Sequence, residues 1–169
     1  MSEWTERLRV LFIHGKESSP HGAKGRRLAE QFDVYGEQMD TADFEGSVSV
    51  QAEAVARFSP QVVVGSSFGG AVLCALLKRG LYRGPSLLLA PATRLYDPQV
   101  ALPRGRAIVI VHGIADDVVP IELSRALAAS APGVVLHEVE DDHRLSATVE
   151  SGRLFDHVRE AYALETASA

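Results

Sequence analysis

Several short stretches of this chain are apolar at every position: Val62-Val63-Val64, Leu87-Leu88-Leu89 and Ile108-Val109-Ile110-Val111. A strand with one wet face alternates apolar and polar residues, so an unbroken run marks a strand covered on both sides. Three more segments read as strands, giving Leu8–Ile13, Val34–Gln38, Gln61–Gly65, Ser86–Leu89, Ala107–Val111 and Val134–Val139 in all. Between them lie helical patterns at Gly22–Phe32, Val48–Phe58, Phe68–Arg79, Ile121–Ala129 and Ser146–Ala163. Strands alternating with helices imply βαβ units and right-handed crossovers. The expected fold class is α/β: a three-layer domain of about six mostly parallel strands with helices on both faces. At 169 residues, with no repeat or linker, one domain over 1–169 is expected.

Composition narrows the partners. The formal net charge is −5 with charges interspersed, which gives no reason to expect nucleic acid or an anionic membrane. Met1–Arg9 has no apolar signal core and no apolar run approaches membrane-spanning length, so a cytoplasmic protein is the default expectation. Cys74 is the one cysteine, which excludes an intramolecular disulfide and a cysteine metal site. No H-E-x-x-H or similar ligand spacing occurs, so no metal and no cofactor are expected. The tail after Leu164 reads as frayed, and the sequence leaves the oligomeric state open.

In open parallel sheets ligands bind beyond the C-terminal strand ends, so the residues just after each strand are inspected first. After the third strand comes Gly65-Ser66-Ser67-Phe68-Gly69-Gly70, a G-x-S-x-G centred on Ser67. A strand reversing sharply into a helix crowds the positions on either side of the central residue, and glycines relieve that crowding. Ser67 would then stand at a helix N-terminus, where developing negative charge is favoured. Ser66 is the rival within the turn, displaced by one and without the symmetric glycines. A serine- and glycine-rich βα turn of a nucleotide-binding fold is the bland reading, but neither G-x-x-x-x-G-K-[ST] nor a G-x-G-x-x-G opening is present.

The fifth strand leads into His112-Gly113-Ile114-Ala115-Asp116-Asp117, where a carboxylate could fix the tautomer of a histidine. Asp116 is the candidate; Asp117 is expected to cap the turn or the following helix. The sixth strand leads into Glu140-Asp141-Asp142-His143, whose imidazole could reach over the strand ends to Ser67 as general base. Asp141 and Asp142 are expected to raise its basicity. His112 reads as structural, His21 as a loop residue, and His137 and His157 as residues inside a strand and a helix. Asp43 and Asp97 follow strands and could line the mouth of a site. After the first strand, Phe12-Ile13-His14-Gly15-Lys16 could supply one backbone donor to an oxyanion, from Lys16; the other would come from Phe68.

With His14-Gly15, the turn at 65–69, H-G-x-x-D at 112–116 and the late His143, the chain resembles the α/β-hydrolases in compact form. The resemblance spans residues 8 to 145, and Ser67, Asp116 and His143 fall in the chain order of that fold's catalytic triad. Asp116 also fits the H-G-x-x-D-x-V-V-P spacing common there. The segment His14–Pro20, followed by Lys24, is similar to the opening of the small bacterial YqiA-like esterases. The resemblance implies a serine hydrolase cleaving a small-molecule ester or thioester through an acyl-enzyme, without a cofactor. Peptide hydrolysis and perhydrolysis share the same residues, and a ligand-binding protein on the hydrolase fold is the alternative from another class. The span Pro91–Arg106 has no room for a cap, so the resemblance implies an exposed site. Lys16, at a position often apolar in relatives, would favour an anionic substrate.

Overall fold

The apolar runs become the strands of one sheet. The computed structural model describes residues 6–168, so Met1–Thr5 of the polar N-terminal stretch lie outside the described residues. In chain order the elements are β1 (Arg9–Ile13), α1 (Ala23–Ala29), β2 (Asp33–Tyr35), α2 (Phe44–Phe58), β3 (Val62–Ser66) and α3 (Phe68–Lys78). Then follow β4 (Ser86–Leu89), β5 (Ile108–Gly113), α4 (Ile121–Ala129), β6 (Val135–Val139), α5 (Ser146–Glu150) and α6 (Arg153–Ser168). The strand order is β2-β1-β3-β4-β5-β6 and every pairing is parallel.

Successive side chains of a strand point to opposite faces, and both faces here are dry. On one side Val10 and Phe12 of β1 join Leu28, Phe32, Leu154, Phe155 and Val158, which places α1 and α6 there. On the other side Leu11 and Ile13 join Val48, Val72, Leu76 and Leu127 of α2, α3 and α4. Strands β3, β4 and β5 are buried at every position, the reason their sequences are unbroken apolar runs. The edge strands β2 and β6 are only partly covered and carry polar residues. Among the described residues no helix is long and apolar enough to cross a membrane.

Several boundaries depart from the sequence expectation, the first helix among them, which ends at Ala29 instead of Phe32. Strand β2 ends at Tyr35 instead of Gln38; beyond it the backbone passes Pro20 so closely that a Cβ on Gly36 would lie 2.7 Å from the Pro20 Cβ. Helix α2 begins at Phe44, ahead of Val48, since the Asp43 carboxylate accepts the Gly46 amide at 2.9 Å and caps it. The expected helix Ser146–Ala163 is two helices, broken at Gly152 with φ +82°. The tail thought frayed is helical through Ser168.

The chain leaves β1 toward β2 and returns to β3 on the opposite side, so the sheet's switch point lies between β1 and β3. At that point α3 presses against β1. A Cβ on Gly69 would lie 2.0 Å from the Ile13 carbonyl oxygen, and one on Gly65 would lie 2.5 Å from the Gly69 oxygen. Backbone cannot yield as a side chain tip can. Gly69→Ala is expected to lower stability by about 3 kcal/mol, read from the urea midpoint. A loss under ~0.5 kcal/mol, the size of an ordinary surface change, would show that the turn relaxes.

Candidate active site

Ser67 is the residue before the first turn of α3, with φ 54° and ψ −112°. For a non-glycine residue such a conformation costs roughly 1–3 kcal/mol and persists only where surroundings enforce it. They do so here. Its amide donates to the Leu89 carbonyl at 2.9 Å, and its carbonyl accepts from Gly70 and Ala92, each at 3.0 Å.

The Ser67 Oγ lies 3.1 Å from His143 Nε2. His143 Nδ1 lies 2.8 Å from Asp116 Oδ2. Because a carboxylate only accepts, Nδ1 carries the proton and the Nε2 lone pair faces the serine hydroxyl. The imidazole bonds the hydroxyl of Ser67, not that of Ser66, which ends β3 opposite Leu89.

Asp116 is held from several sides. Its Oδ1 accepts the Val118 and Val119 amides, both at 2.8 Å. Its side chain is fully buried, and His112 Nε2 stands 3.1 Å from Oδ2. Burial pushes the carboxyl pKa upward, but the hydrogen bonds from Val119, His143 and Val118 outweigh it and hold the value below the ordinary 3.8. Asp116 is therefore ionised at neutral pH. The buried His112 is fixed in turn, with Nε2 donating to the Val119 carbonyl at 2.9 Å and Nδ1 2.7 Å from Ser124 Oγ. That imidazole braces the turn carrying Asp116 as well as ending β5.

One expectation for the neighbouring acids, the cap assigned to Asp117, is corrected. Asp117 is exposed, and the turn it was expected to cap is closed by Asp116. Asp141 does not serve the imidazole: its carboxylate accepts the amides of Asp142, Ala147 and Thr148 and the Thr148 hydroxyl. Asp142 accepts from the Ser146 amide and hydroxyl. Both carboxylates shape the loop that leads from His143 into α5. Asp97 pairs with Lys78 at 2.6 Å, away from the serine, and Asp43 is spent on its cap. His21 lies in the exposed β1–α1 loop.

Two backbone positions lie beside the serine. Phe68 opens α3, so its own amide has no carbonyl one turn back in the helix to bond. Lys16 follows Gly15, which abuts the serine closely enough that a Cβ there would lie 3.6 Å from the Ser67 Cβ. Buried His14 anchors this loop, with Nδ1 donating to the Gly15 carbonyl at 2.7 Å and Nε2 accepting the Met39 amide at 3.1 Å. The Phe68 ring is buried edge-on against Phe44 and Tyr96, and the Lys16 ammonium stands 5.5 Å from the Tyr96 ring centre.

Above Ser67 runs an open groove of about 1330 Å³, with Lys16, Lys24, Arg94 and Arg144 on its walls and Glu17 and Glu150 as its acids. Burial lowers the pKa of Lys24, offset in part by Asp142. Arg94 and Arg144 were not legible as wall residues. Arg94 follows β4 and Arg144 follows His143, so proximity to a strand end was the one available signal. Cys74 is no competing nucleophile: burial, aided by Asp97, pushes its thiol to about 12.

No family model matches the chain, and no curated protein matches its sequence. Solved structures do match. A protein of the alpha/beta hydrolase superfamily from Xanthomonas campestris pv. campestris superposes with a TM-score of 0.74 at 22% identity, covering 96% of this chain and 99% of that one. Est1E from Butyrivibrio proteoclasticus gives 0.73 at 16% identity, over 96% and 89% of the two chains. The esterase domain of a Rhodothermus marinus protein gives 0.65 at 17%, over 95% and 88%. The chain has the α/β-hydrolase fold, without a cap domain.

Proposed function

We propose that this chain is a serine hydrolase that cleaves a carboxylic ester or thioester through an acyl-enzyme. The observation that carries the reading is the continuous relay from Ser67 Oγ through the His143 ring to Asp116, with each contact at hydrogen-bond distance. His143 Nε2 takes the hydroxyl proton as Ser67 Oγ attacks the acyl carbon. Asp116 stabilises the imidazolium that results. The Phe68 and Lys16 amides receive the oxyanion, each donor worth about 10²–10³ in rate. The imidazolium then gives its proton to the leaving alcohol or thiol, and water, deprotonated by the same nitrogen, releases the acid.

The loop that carries the likeness to the small bacterial YqiA-like esterases contributes Gly15, Lys16, Glu17, Ser18 and Ser19 to the groove, and Lys24 follows. The reading therefore includes kinship with that group. Four cations against two acids, in a chain whose net charge is −5, favour substrates with an anionic portion. Arg144→Ala is expected to raise KM for a dicarboxylic monoester about 10-fold, a loss of one charge contact. KM for a neutral ester of equal chain length should stay within twofold. Equal effects on both esters would remove the charge argument.

The deciding experiment is labelling with a fluorophosphonate, with the modified peptide identified by mass spectrometry, alongside a panel of short p-nitrophenyl esters and acyl thioesters. The expected result is one adduct, on Ser67, and turnover of at least one panel member. A chain that binds an ester without either adduct or turnover is a binding protein on this fold, and the proposal fails.

A further inference from the structure

On the side of the sheet away from α3, two histidines far apart in the sequence come together. His137 lies on the edge strand β6, and His157 and Glu160 lie one turn apart on α6. Their ligand atoms all fall within 4.8 Å of one another, and no other such group occurs among the described residues. His137 Nε2 stands 2.8 Å from Glu160 Oε2 and 3.0 Å from Oε1. His157 Nδ1 stands 3.6 Å from the same Oε2, too far for a hydrogen bond. The two imidazole rings are 4.8 Å apart, centre to centre.

The state of His157 makes this more than a surface cluster. Both of its ring nitrogens are buried and neither has a hydrogen-bond partner. A buried imidazole with donor and acceptor both unmet is costly and calls for a missing partner. Around a tetrahedral zinc, ligand atoms bound at about 2.0–2.1 Å lie roughly 3.3 Å from each other, between the 2.8 and 3.6 Å that separate the two histidine nitrogens from Glu160 Oε2.

We infer that His137, His157 and Glu160 form a binding site for a zinc-class divalent ion. His137 binds through Nε2, its proton moving to Nδ1, and His157 binds through Nδ1. Glu160 gives a carboxylate oxygen, and the fourth position is open to water. Two neutral imidazoles with one carboxylate suit zinc, cobalt or nickel better than magnesium or calcium. The ion has a structural consequence. The chain between its ligands His137 and His157 carries Asp141 and His143, so the ion ties both ends of that segment to one point.

The test uses the full chain stripped with a chelator and titrated by calorimetry with zinc, then with cobalt while visible absorption is followed. One ion per chain at micromolar or lower Kd, with cobalt ligand-field bands, is the expected result. His157→Gln and Glu160→Gln should each weaken binding about 10–100-fold or more, whereas His143→Ala should leave it within twofold. Absence of saturable binding at millimolar ion, undiminished binding in His157→Gln, or loss in His143→Ala alone would each overturn the assignment. Should the α6 variants fail to fold, X-ray absorption on the zinc-loaded native chain decides: scattering from two imidazoles supports the site, and one or none refutes it.

Discussion

Ser67→Ala is expected to lower kcat for any ester the chain turns over by about 10⁶-fold, to a residue of activity supplied by the remaining donors. Such a drop is possible because the relay acts as a unit. Without the hydroxyl, His143 has no proton to accept and no acyl-enzyme forms. The fold should tolerate the change, since the turn is held by backbone bonds from Leu89, Gly70 and Ala92 rather than by the side chain. Circular dichroism and the urea midpoint should therefore match the native protein. A variant that keeps more than about a hundredth of native kcat, beyond what loss of the nucleophile allows, would place the chemistry elsewhere.

Asp116→Asn should reduce kcat by about 10⁴-fold while KM changes little. An amide nitrogen in place of Oδ2 would face two imidazole N–H groups, from His143 and His112, and could accept from neither. His143 is then driven to the other tautomer, with its Nε2 proton aimed at Ser67 and no lone pair to act as base. The same substitution carries a pH signature. The native carboxyl has a depressed pKa in the fold, so its contribution to stability is present above its ordinary 3.8 and disappears as pH falls through the folded value. The gap between native and Asp116→Asn urea midpoints should thus narrow below about pH 4. A gap that widens there would mean the carboxylate is not favoured by the fold.

Sequence pattern reached the central sheet because β3, β4 and β5 are buried on both faces and had to be apolar throughout. It was weaker at the margins. Just past β2 the backbone at Gly36 packs against Pro20 from another loop, a contact no local pattern reports. At the last helix, Gly152 was visible but its left-handed backbone was not, and the apolar pattern continued across it. Among site residues, Ser67, Asp116 and His143 each follow a different strand, and the turn chemistry at each was local enough to read. What escaped was contact between distant segments. His112 reaching the Asp116 carboxylate, Asp141 folding back on Thr148, and His137 meeting His157 all depend on packing.

The groove walls invite a last conclusion. Lys16, Arg94 and Arg144 sit on connecting loops, and none belongs to either apolar cluster that holds the helices to the sheet. Changing such side chains usually shifts stability by only about 0.5 kcal/mol in either direction. The charge of the groove and the core of the fold thus rest on different residues. A library confined to those loops would vary the charge of the groove while the sheet beneath remains untouched.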